Sequence, residues 1–172
     1  MSSRGLWLSL FYRIIYFSSN HKNLRNPSWW LIRFLEIPAT YLNTVLCKSD
    51  MLGDCTIEEG VYLADGGYLI FGAQSVGSGS IVHSHVTIGE GVANRNAERP
   101  RIGKNVWIGP NCIIAGGIEV GDGCTILPNT YITHSLPANT VVRGNPARVV
   151  RRNFDSSDIR NSLAIVEDIA KE

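Results

Sequence analysis

A six-residue period of large aliphatic side chains dominates the second half of the sequence. Stepping by six from residue 102 meets an aliphatic residue every time, at Ile102, Ile108, Ile114, Val120, Ile126 and Ile132. An amphipathic helix has a period of 3.6 residues and a half-buried strand a period of two, so neither produces this spacing. The residues two positions earlier are mostly small or medium in size: Val106, Cys112, Ile118, Cys124 and Thr130. The pattern predicts one short strand and one corner in every six residues.

The same period continues upstream, and it is weak at Ile57 and Leu63. The upstream aliphatic positions are Ile70, Val76, Val82 and Ile88. Three six-residue units make one triangular coil, in which the aliphatic side chains point inward. A single coil cannot bury its own apolar face, so successive coils must stack. We therefore predict a mainly β fold, a parallel β-helix of hexapeptide repeats over residues 51–152.

One interruption of the period predicts a loop. Ile88 and Ile102 are fourteen residues apart rather than six. About eight residues must therefore leave the solenoid at about 92–101, in a polar and charged stretch (VANRNAERP). Loops held on a rigid scaffold often carry function. A neutral insertion is the alternative interpretation.

The two ends of the chain predict helices. Asn26-Pro27 is a helix start within an N-terminal helical segment, residues 1–50, and helical spacing of apolar residues predicts a C-terminal helix at 153–172. The apolar segment Leu6–Phe17 is too short to span a bilayer, and we predict a cytoplasmic protein. A second apolar stretch at 29–35 predicts burial against the solenoid, with peripheral membrane contact as the alternative.

Composition excludes several classes of protein. Of 172 residues, 44% are hydrophobic and 18% charged, which is typical of a globular chain. The net charge of +1 argues against nucleic-acid binding, which needs clustered positive charge. The four cysteines form no CxxC pair, and three of them, Cys55, Cys112 and Cys124, fall on inward positions, so we assign them to the core rather than to chemistry.

The run from Ile102 to Arg151 resembles the hexapeptide-repeat acetyltransferases, above all in NVWIG, GGIEVGDG and RGNPARVV. The layout SIVHSHVTIG, loop, PRIGKNVWIG is similar to the serine acetyltransferase branch and its relatives in polysaccharide gene sets. The resemblance implies a left-handed β-helix and an acetyl-CoA-dependent acyltransferase. It also implies a homotrimer with sites between neighbouring subunits.

Acyl transfer to a hydroxyl or amine needs a base, and histidine is the natural choice near neutral pH. Of the four histidines, His21 lies in the N-terminal segment and His134 at the end of the repeat. His83 and His85 are predicted to point outward just before the loop. We predict that this pair supplies the base, with His85 ahead. Asp65, eighteen residues before His83, is the candidate carboxylate that orients a histidine.

The coenzyme residues follow from the resemblance to the galactoside-type enzymes. Matching the stacked corners and the C-terminal coil assigns the following residues to acetyl-CoA: Pro110, Pro128, Thr133, His134, Arg148 and Arg151. Arginine suits the coenzyme phosphates because its guanidinium group forms charge-assisted hydrogen bonds. No metal is expected in the reaction.

The chain departs from the serine acetyltransferase pattern at the positions where that branch carries its histidines. The stretch Leu63–Gly67 has none, and Arg99 stands before the proline at the end of the loop. A hydroxyl (or amine) of a sugar or polysaccharide precursor is therefore our first choice of acceptor, and serine the second. A γ-class carbonic anhydrase, with three histidines on zinc, and a non-catalytic β-helix scaffold are the alternatives from other classes.

Overall fold

The computed structural model describes residues 10, 12–14, 16, 41, 45, 48–51, 54–63, 68–91, 98–157 and 159. The strands of this part of the chain are short, mostly of two residues. They are β1 (Asp50–Met51), β2 (Thr56–Ile57), β3 (Tyr62–Leu63), β4 (Ile70–Phe71), β5 (Ser75–Val76), β6 (Ile81–Val82), β7 (Thr87–Gly89), β8 (Arg101–Ile102), β9 (Trp107–Ile108), β10 (Ile113–Ala115), β11 (Glu119–Val120), β12 (Thr125–Ile126), β13 (Tyr131–Ile132), β14 (Val141–Arg143) and β15 (Arg148–Arg151).

The strands build three sheets, and each sheet takes every third strand. One sheet has the order β1-β4-β7-β10-β13, a second β11-β8-β5-β2, and the third β15-β14-β12-β9-β6-β3. All pairings are parallel except that of β14 with β15, which is antiparallel. Each sheet is one face of a triangular prism, so the predicted parallel β-helix is confirmed.

The interior of the prism contains the predicted aliphatic residues. The six positions from Ile102 to Ile132 are at most 3% exposed, and Cys55, Cys112 and Cys124 are fully buried. Strand pairing stacks them in columns: Val82 lies next to Ile108, Ile108 next to Ile126, and Ile126 next to Val142. Burial of one such column on each face supplies the hydrophobic stabilisation that a single coil lacks.

The prediction that Ile70 points inward is wrong. Its side chain is 53% exposed, whereas the neighbouring Phe71 is fully buried and pairs with Ile88. Inward positions are eight residues apart between Leu63 and Phe71 and five apart between Phe71 and Val76. Because side chains alternate across a strand, a shift of one residue exchanges the two faces, and here the larger Phe71 fills the core.

The loop between β7 and β8 is confirmed by the register of the strands around it. Val76 pairs with Ile102, 26 residues later, whereas Ile102 pairs with Val120, 18 residues later. The coil that carries the loop therefore has eight extra residues. Of the loop itself, residues 92–97 lie outside the described residues.

The predicted terminal helices lie mostly outside the described residues. Leu10, residues 12–14 and Tyr16 are helical, and the Tyr12 hydroxyl donates a hydrogen bond to the Cys55 carbonyl and accepts one from the Ile57 N–H. Burial raises the pKa of Tyr12 to about 12. At the other end Ser157 and Ile159 are helical. Among the helices that the structure describes, none has the length and apolarity needed to cross a membrane.

We predict that Ile126→Ala lowers the free energy of unfolding by about 2–5 kcal/mol, the usual cost of this truncation in a packed core. Ile126 is fully buried between Ile108 and Val142. Glu119→Ala, on the exposed side of β11, is the control and should cost less than about 1 kcal/mol. Denaturant unfolding measures both, and equal losses would contradict the inward stacking.

Candidate active site

One edge of the prism carries His83 and His85. At this edge the chain turns into the strands of the five-stranded sheet, through residues 48–49, 68–69, 83–86, 109–112 and 127–130, and we call it the histidine edge. Successive corners are joined by backbone hydrogen bonds, from Asn111 N–H to the Ser84 carbonyl (3.2 Å) and from Asn129 N–H to the Pro110 carbonyl (3.0 Å). Stacking of the coils therefore places these corner residues in columns.

His83 is half-buried and packs edge-on against Trp107 of the next coil, with ring centroids 5.0 Å apart and an interplanar angle of 61°. Its Nε2 atom is buried, as is Nε1 of Trp107, and neither has a hydrogen-bond partner in the described part of the chain. Desolvation by burial lowers the pKa of His83. Burial thus favours the neutral imidazole, which is the form that can accept a proton.

His85 has a different environment. Its side chain is exposed, its φ is +59°, and its ring stacks on that of Tyr68 at 4.8 Å and 14°. The Tyr68 hydroxyl accepts a hydrogen bond of 3.1 Å from the Lys48 ammonium group. The two histidines thus combine a half-buried imidazole and an exposed one within three residues. Asp65, the predicted orienting carboxylate, lies outside the described residues.

Three of the predicted coenzyme residues lie on or beside the histidine edge. Pro110 and Pro128 occupy the two corners that follow Ser84 and His85 along it. Arg148, at the start of β15, pairs with Arg143 at the end of the six-stranded sheet that adjoins this edge. Four strand spacings, about 19 Å, separate the level of His85, which follows β6, from that of Arg148 on β15. An elongated ligand could lie along this length.

The other predicted coenzyme residues lie away from the histidine edge. Thr133 and His134 follow β13, at the corner between the five-stranded and four-stranded sheets, and both are exposed. Arg151 is at the far end of β15, with its guanidinium group 5.3 Å from the centre of the Phe154 ring. The structure therefore does not bring these three residues together with His83 and His85.

A cleft of about 500 Å³ opens beside the stem of the loop. We call it the loop-stem cleft, and it is lined by Gln74, Glu98, Arg99, Arg101, Gly117, Ile118, Glu119 and Ser135. Arg99 forms a bidentate ion pair with Asp54 (2.7 and 2.8 Å), which raises the pKa of Arg99, and Arg101 Nε donates to Gln74 Oε1 at 3.0 Å. The sequence predicts that the Val92–Pro100 loop shapes the acceptor site, and two residues of that loop, Glu98 and Arg99, line the cleft. The other residues of the cleft are not predicted from the sequence.

Metal-ligating side chains do not cluster in the part of the chain that the structure describes. No group of three or more histidine, cysteine or acidic residues there could hold a metal ion. Among these residues, His83 and His85 are separated by one residue and face different neighbours, Trp107 and Tyr68.

Comparison with known proteins identifies the repeat. The bacterial transferase hexapeptide family (six repeats) matches residues 99–134. Serine acetyltransferase 2 of Arabidopsis thaliana is 34% identical over 119 residues, which are 67% of this chain and 35% of that one. The putative colanic acid biosynthesis acetyltransferase WcaF of Escherichia coli (strain K12) is 32% identical over 105 residues, 61% of this chain and 51% of the other. This chain therefore spans about half or less of the curated relatives that it matches.

Solved structures show the same fold. The serine acetyltransferase from Vibrio cholerae O1 biovar El Tor N16961 superposes with a TM-score of 0.68 and 26% sequence identity, over 87% of this chain and 55% of that one. The prism of short parallel strands is thus the left-handed β-helix of that enzyme class, as the sequence predicts.

We predict that the His83 imidazole titrates below the ordinary histidine value of about 6.5, because burial against Trp107 disfavours its charged form. NMR titration of the ring protons measures the midpoint. In Trp107→Ala the midpoint should rise toward the ordinary value, since the truncated side chain admits water. A midpoint at or above 6.5 in the wild type would contradict the burial.

The same shift has a consequence for stability. Below pH 6.5 the unfolded chain binds a proton at His83 more readily than the folded chain, so the free energy of unfolding should fall as the pH falls through this range. His83→Gln, which removes the titrating group, should reduce this pH dependence in thermal unfolding between pH 7.5 and 5.

Proposed function

This chain belongs to the hexapeptide-repeat transferases, and from that premise we propose that it transfers an acetyl group from acetyl-CoA to a hydroxyl (or amine) of a sugar or polysaccharide precursor. One observation carries the proposal: the histidine edge places His83 and His85 in line with Pro110, Pro128 and the Arg148 end of the six-stranded sheet. The candidate base and three of the predicted coenzyme residues thus lie on or beside the same edge of the solenoid.

In the proposed reaction an imidazole of the pair takes the proton of the acceptor hydroxyl, and the oxygen attacks the thioester carbonyl carbon. The tetrahedral intermediate collapses, the carbon–sulfur bond breaks, and the thiolate receives the proton from the imidazolium. The unpartnered Nε2 of His83 supports the binding of an acceptor hydroxyl at this edge. A buried polar atom without a hydrogen bond costs about 1–3 kcal/mol, and an acceptor hydroxyl would satisfy it.

Acetyl-CoA is proposed to lie along the histidine edge. Its thioester would lie near the histidines, its pantetheine arm against Pro110 and Pro128, and its phosphates near Arg148, where the guanidinium group is exposed. Thr133, His134 and Arg151 are on other parts of the surface of the same chain. Their predicted contacts with the coenzyme would require a second subunit or another part of the ligand.

The choice of a sugar acceptor is supported by the charges of the loop-stem cleft, which lies at the next edge of the prism and would serve the histidine edge of a neighbouring subunit. Its two arginines can donate hydrogen bonds and its two glutamates can accept them. The ion pair with Asp54 already neutralises the charge of Arg99. Such a lining suits a polyhydroxylated, uncharged ligand. The WcaF relative, named for colanic acid biosynthesis, favours the same class. The Arabidopsis relative favours serine, which is the second candidate acceptor, and an acceptor screen by thiol release separates the two.

We propose a homotrimer for the working protein. On the outer face of the five-stranded sheet Ile70, Thr87, Ile113 and Tyr131 stand in register on four neighbouring strands. Ile70 is 53% and Ile113 44% exposed, so this row presents apolar side chains next to one another on the surface. A neighbouring subunit would cover this row. The cytoplasmic location and the peripheral membrane contact of the N-terminal segment stay predictions from the sequence.

We predict that the double variant His83→Ala/His85→Ala loses about two to four orders of magnitude in kcat, the usual contribution of a general base. Thiol release measures the rate, while calorimetry and light scattering check that coenzyme affinity and oligomeric state are kept. The two single variants assign the loss, and Lys104→Ala, on an exposed corner elsewhere, is the control. A double variant with wild-type kcat would place the base elsewhere, with His134 and Asp65 next to be tested.

We predict that Arg148→Ala raises the Kd of acetyl-CoA by about 10- to 100-fold, as expected when a charge-assisted hydrogen bond to a phosphate is lost. Calorimetry with the intact protein measures this. Arg152→Ala, an exposed neighbour outside the proposed site, should change the Kd less than about threefold. Equal effects of the two substitutions would show only a general loss of positive charge.

A further inference from the structure

Residues with positive φ mark the tight corners of the solenoid. Among the described residues that are not glycine, eight have a positive φ, and five of them are asparagine. The five are Asn105, Asn111, Asn129, Asn139 and Asn153, and the exceptions are Lys48, Tyr68 and His85. Asparagine tolerates this left-handed conformation better than other residues with a side chain. It is therefore the residue expected at a corner where the backbone conformation is the only requirement.

The three exceptions lie together on the histidine edge. Lys48, Tyr68 and His85 occupy the corners of three successive coils, each just before a strand of the five-stranded sheet, and Tyr68 N–H bonds to the Lys48 carbonyl at 3.1 Å. Asn111 and Asn129 continue the same edge over the next two coils. Two corners of this edge therefore carry the conformationally favoured asparagine, whereas the three adjacent corners carry larger side chains that are ionisable or aromatic. Strained positions of this kind cluster at functional sites.

The three side chains also contact one another. The rings of Tyr68 and His85 are nearly parallel, 14° apart, with centroids at 4.8 Å. The Lys48 ammonium group bonds to the Tyr68 hydroxyl at 3.1 Å and lies 5.3 Å from the centre of its ring. No hydrogen bond in the described part of the chain engages the His85 ring. The stack is therefore the contact that restricts the orientation of an otherwise exposed imidazole, and it covers one face of the ring.

We propose that Tyr68 is a positioning residue for His85, that Lys48 holds the Tyr68 ring in place, and that His85 rather than His83 is the base of the acyl transfer. The inference rests on the proposed function and deepens it, because it assigns the proton transfer to one of two histidines. Stacking holds the His85 ring in one orientation in which a rim nitrogen faces the acceptor. Asparagine would adopt this backbone conformation at a lower cost, but it has no aromatic ring that could stack on His85. The stacking function therefore explains a tyrosine at this corner.

Substitution by asparagine separates a structural role from a positioning role. In Tyr68→Asn the corner gains its favoured residue, so the midpoint of thermal unfolding should stay unchanged or rise. The stack is lost, and kcat should fall by about 10- to 100-fold, as expected when a reacting group is misplaced by about 1 Å. The KM for acetyl-CoA should change less than about twofold. Tyr68→Phe keeps the ring and should keep at least about a third of wild-type kcat. Asn105→Gly, at another edge, is the control and should leave kcat unchanged.

A readout independent of activity follows the ring stack itself. In the wild type the ring protons of His85 should be shifted upfield in the NMR spectrum by the Tyr68 ring current. The shift should remain in Tyr68→Phe and disappear in Tyr68→Asn. Equal spectra in wild type and Tyr68→Asn would overturn the proposal.

Three kinetic outcomes would contradict this inference without contradicting the proposed function. If His85→Asn is inactive but Tyr68→Asn has wild-type kcat, the acyl transfer stands and the positioning role of Tyr68 is wrong. If His85→Asn keeps wild-type kcat while His83→Asn loses activity, the base is His83 and the inference fails, although the proposed function survives. If Tyr68→Phe loses as much as Tyr68→Asn, the stack is not what positions His85.

Discussion

Close stacking of each coil on the next is the constraint on which the rest of the structure depends. The corners leave no room for a side chain at several glycines: a Cβ on Gly103 would lie 2.9 Å from the Asp122 backbone nitrogen, and one on Gly121 2.5 Å from that of Ala138. At this separation the parallel hydrogen bonds form and the inward aliphatic residues touch. A coil that moved away would lose the hydrogen bonds and the apolar contacts together, which is why the repeat is so regular between residues 102 and 132.

The same stacking positions the functional side chains. Residues that are distant along the chain, such as His85 and Tyr68 or His83 and Trp107, meet because each occupies an equivalent place on a neighbouring coil. A corner side chain therefore has its neighbours above and below set by the backbone rather than by its own packing. The histidine edge therefore carries a line of functional side chains on successive coils. The ejected loop adds a cleft at the next edge, where Arg99 ties the loop stem to Asp54.

The sequence predicts the fold well where the period is unbroken and poorly where it is not. Strict six-residue spacing identifies the inward residues from Ile102 to Ile132, and the eight extra residues between Ile88 and Ile102 locate the loop. Near Ile70 the spacing becomes eight and then five, and no pattern in one sequence tells which of two adjacent apolar residues, Ile70 or Phe71, fills the core. For the site, the outward direction of His83 and His85 follows from the period. The neighbours of these two histidines do not follow from the period. The Tyr68 stack and the burial of His83 Nε2 depend on contacts between coils, and the spacing of the coils upstream is irregular.

The central claim is that coenzyme and base share the histidine edge, and a crystal structure of the protein with bound acetyl-CoA tests it most directly. The account predicts that the thioester lies within hydrogen-bonding reach of His83 or His85, that the pantetheine arm runs past Pro110 and Pro128, and that a phosphate lies beside Arg148. Coenzyme bound instead along the edge of Thr133, His134 and the loop-stem cleft, with no atom near either His83 or His85 of any subunit, would contradict it.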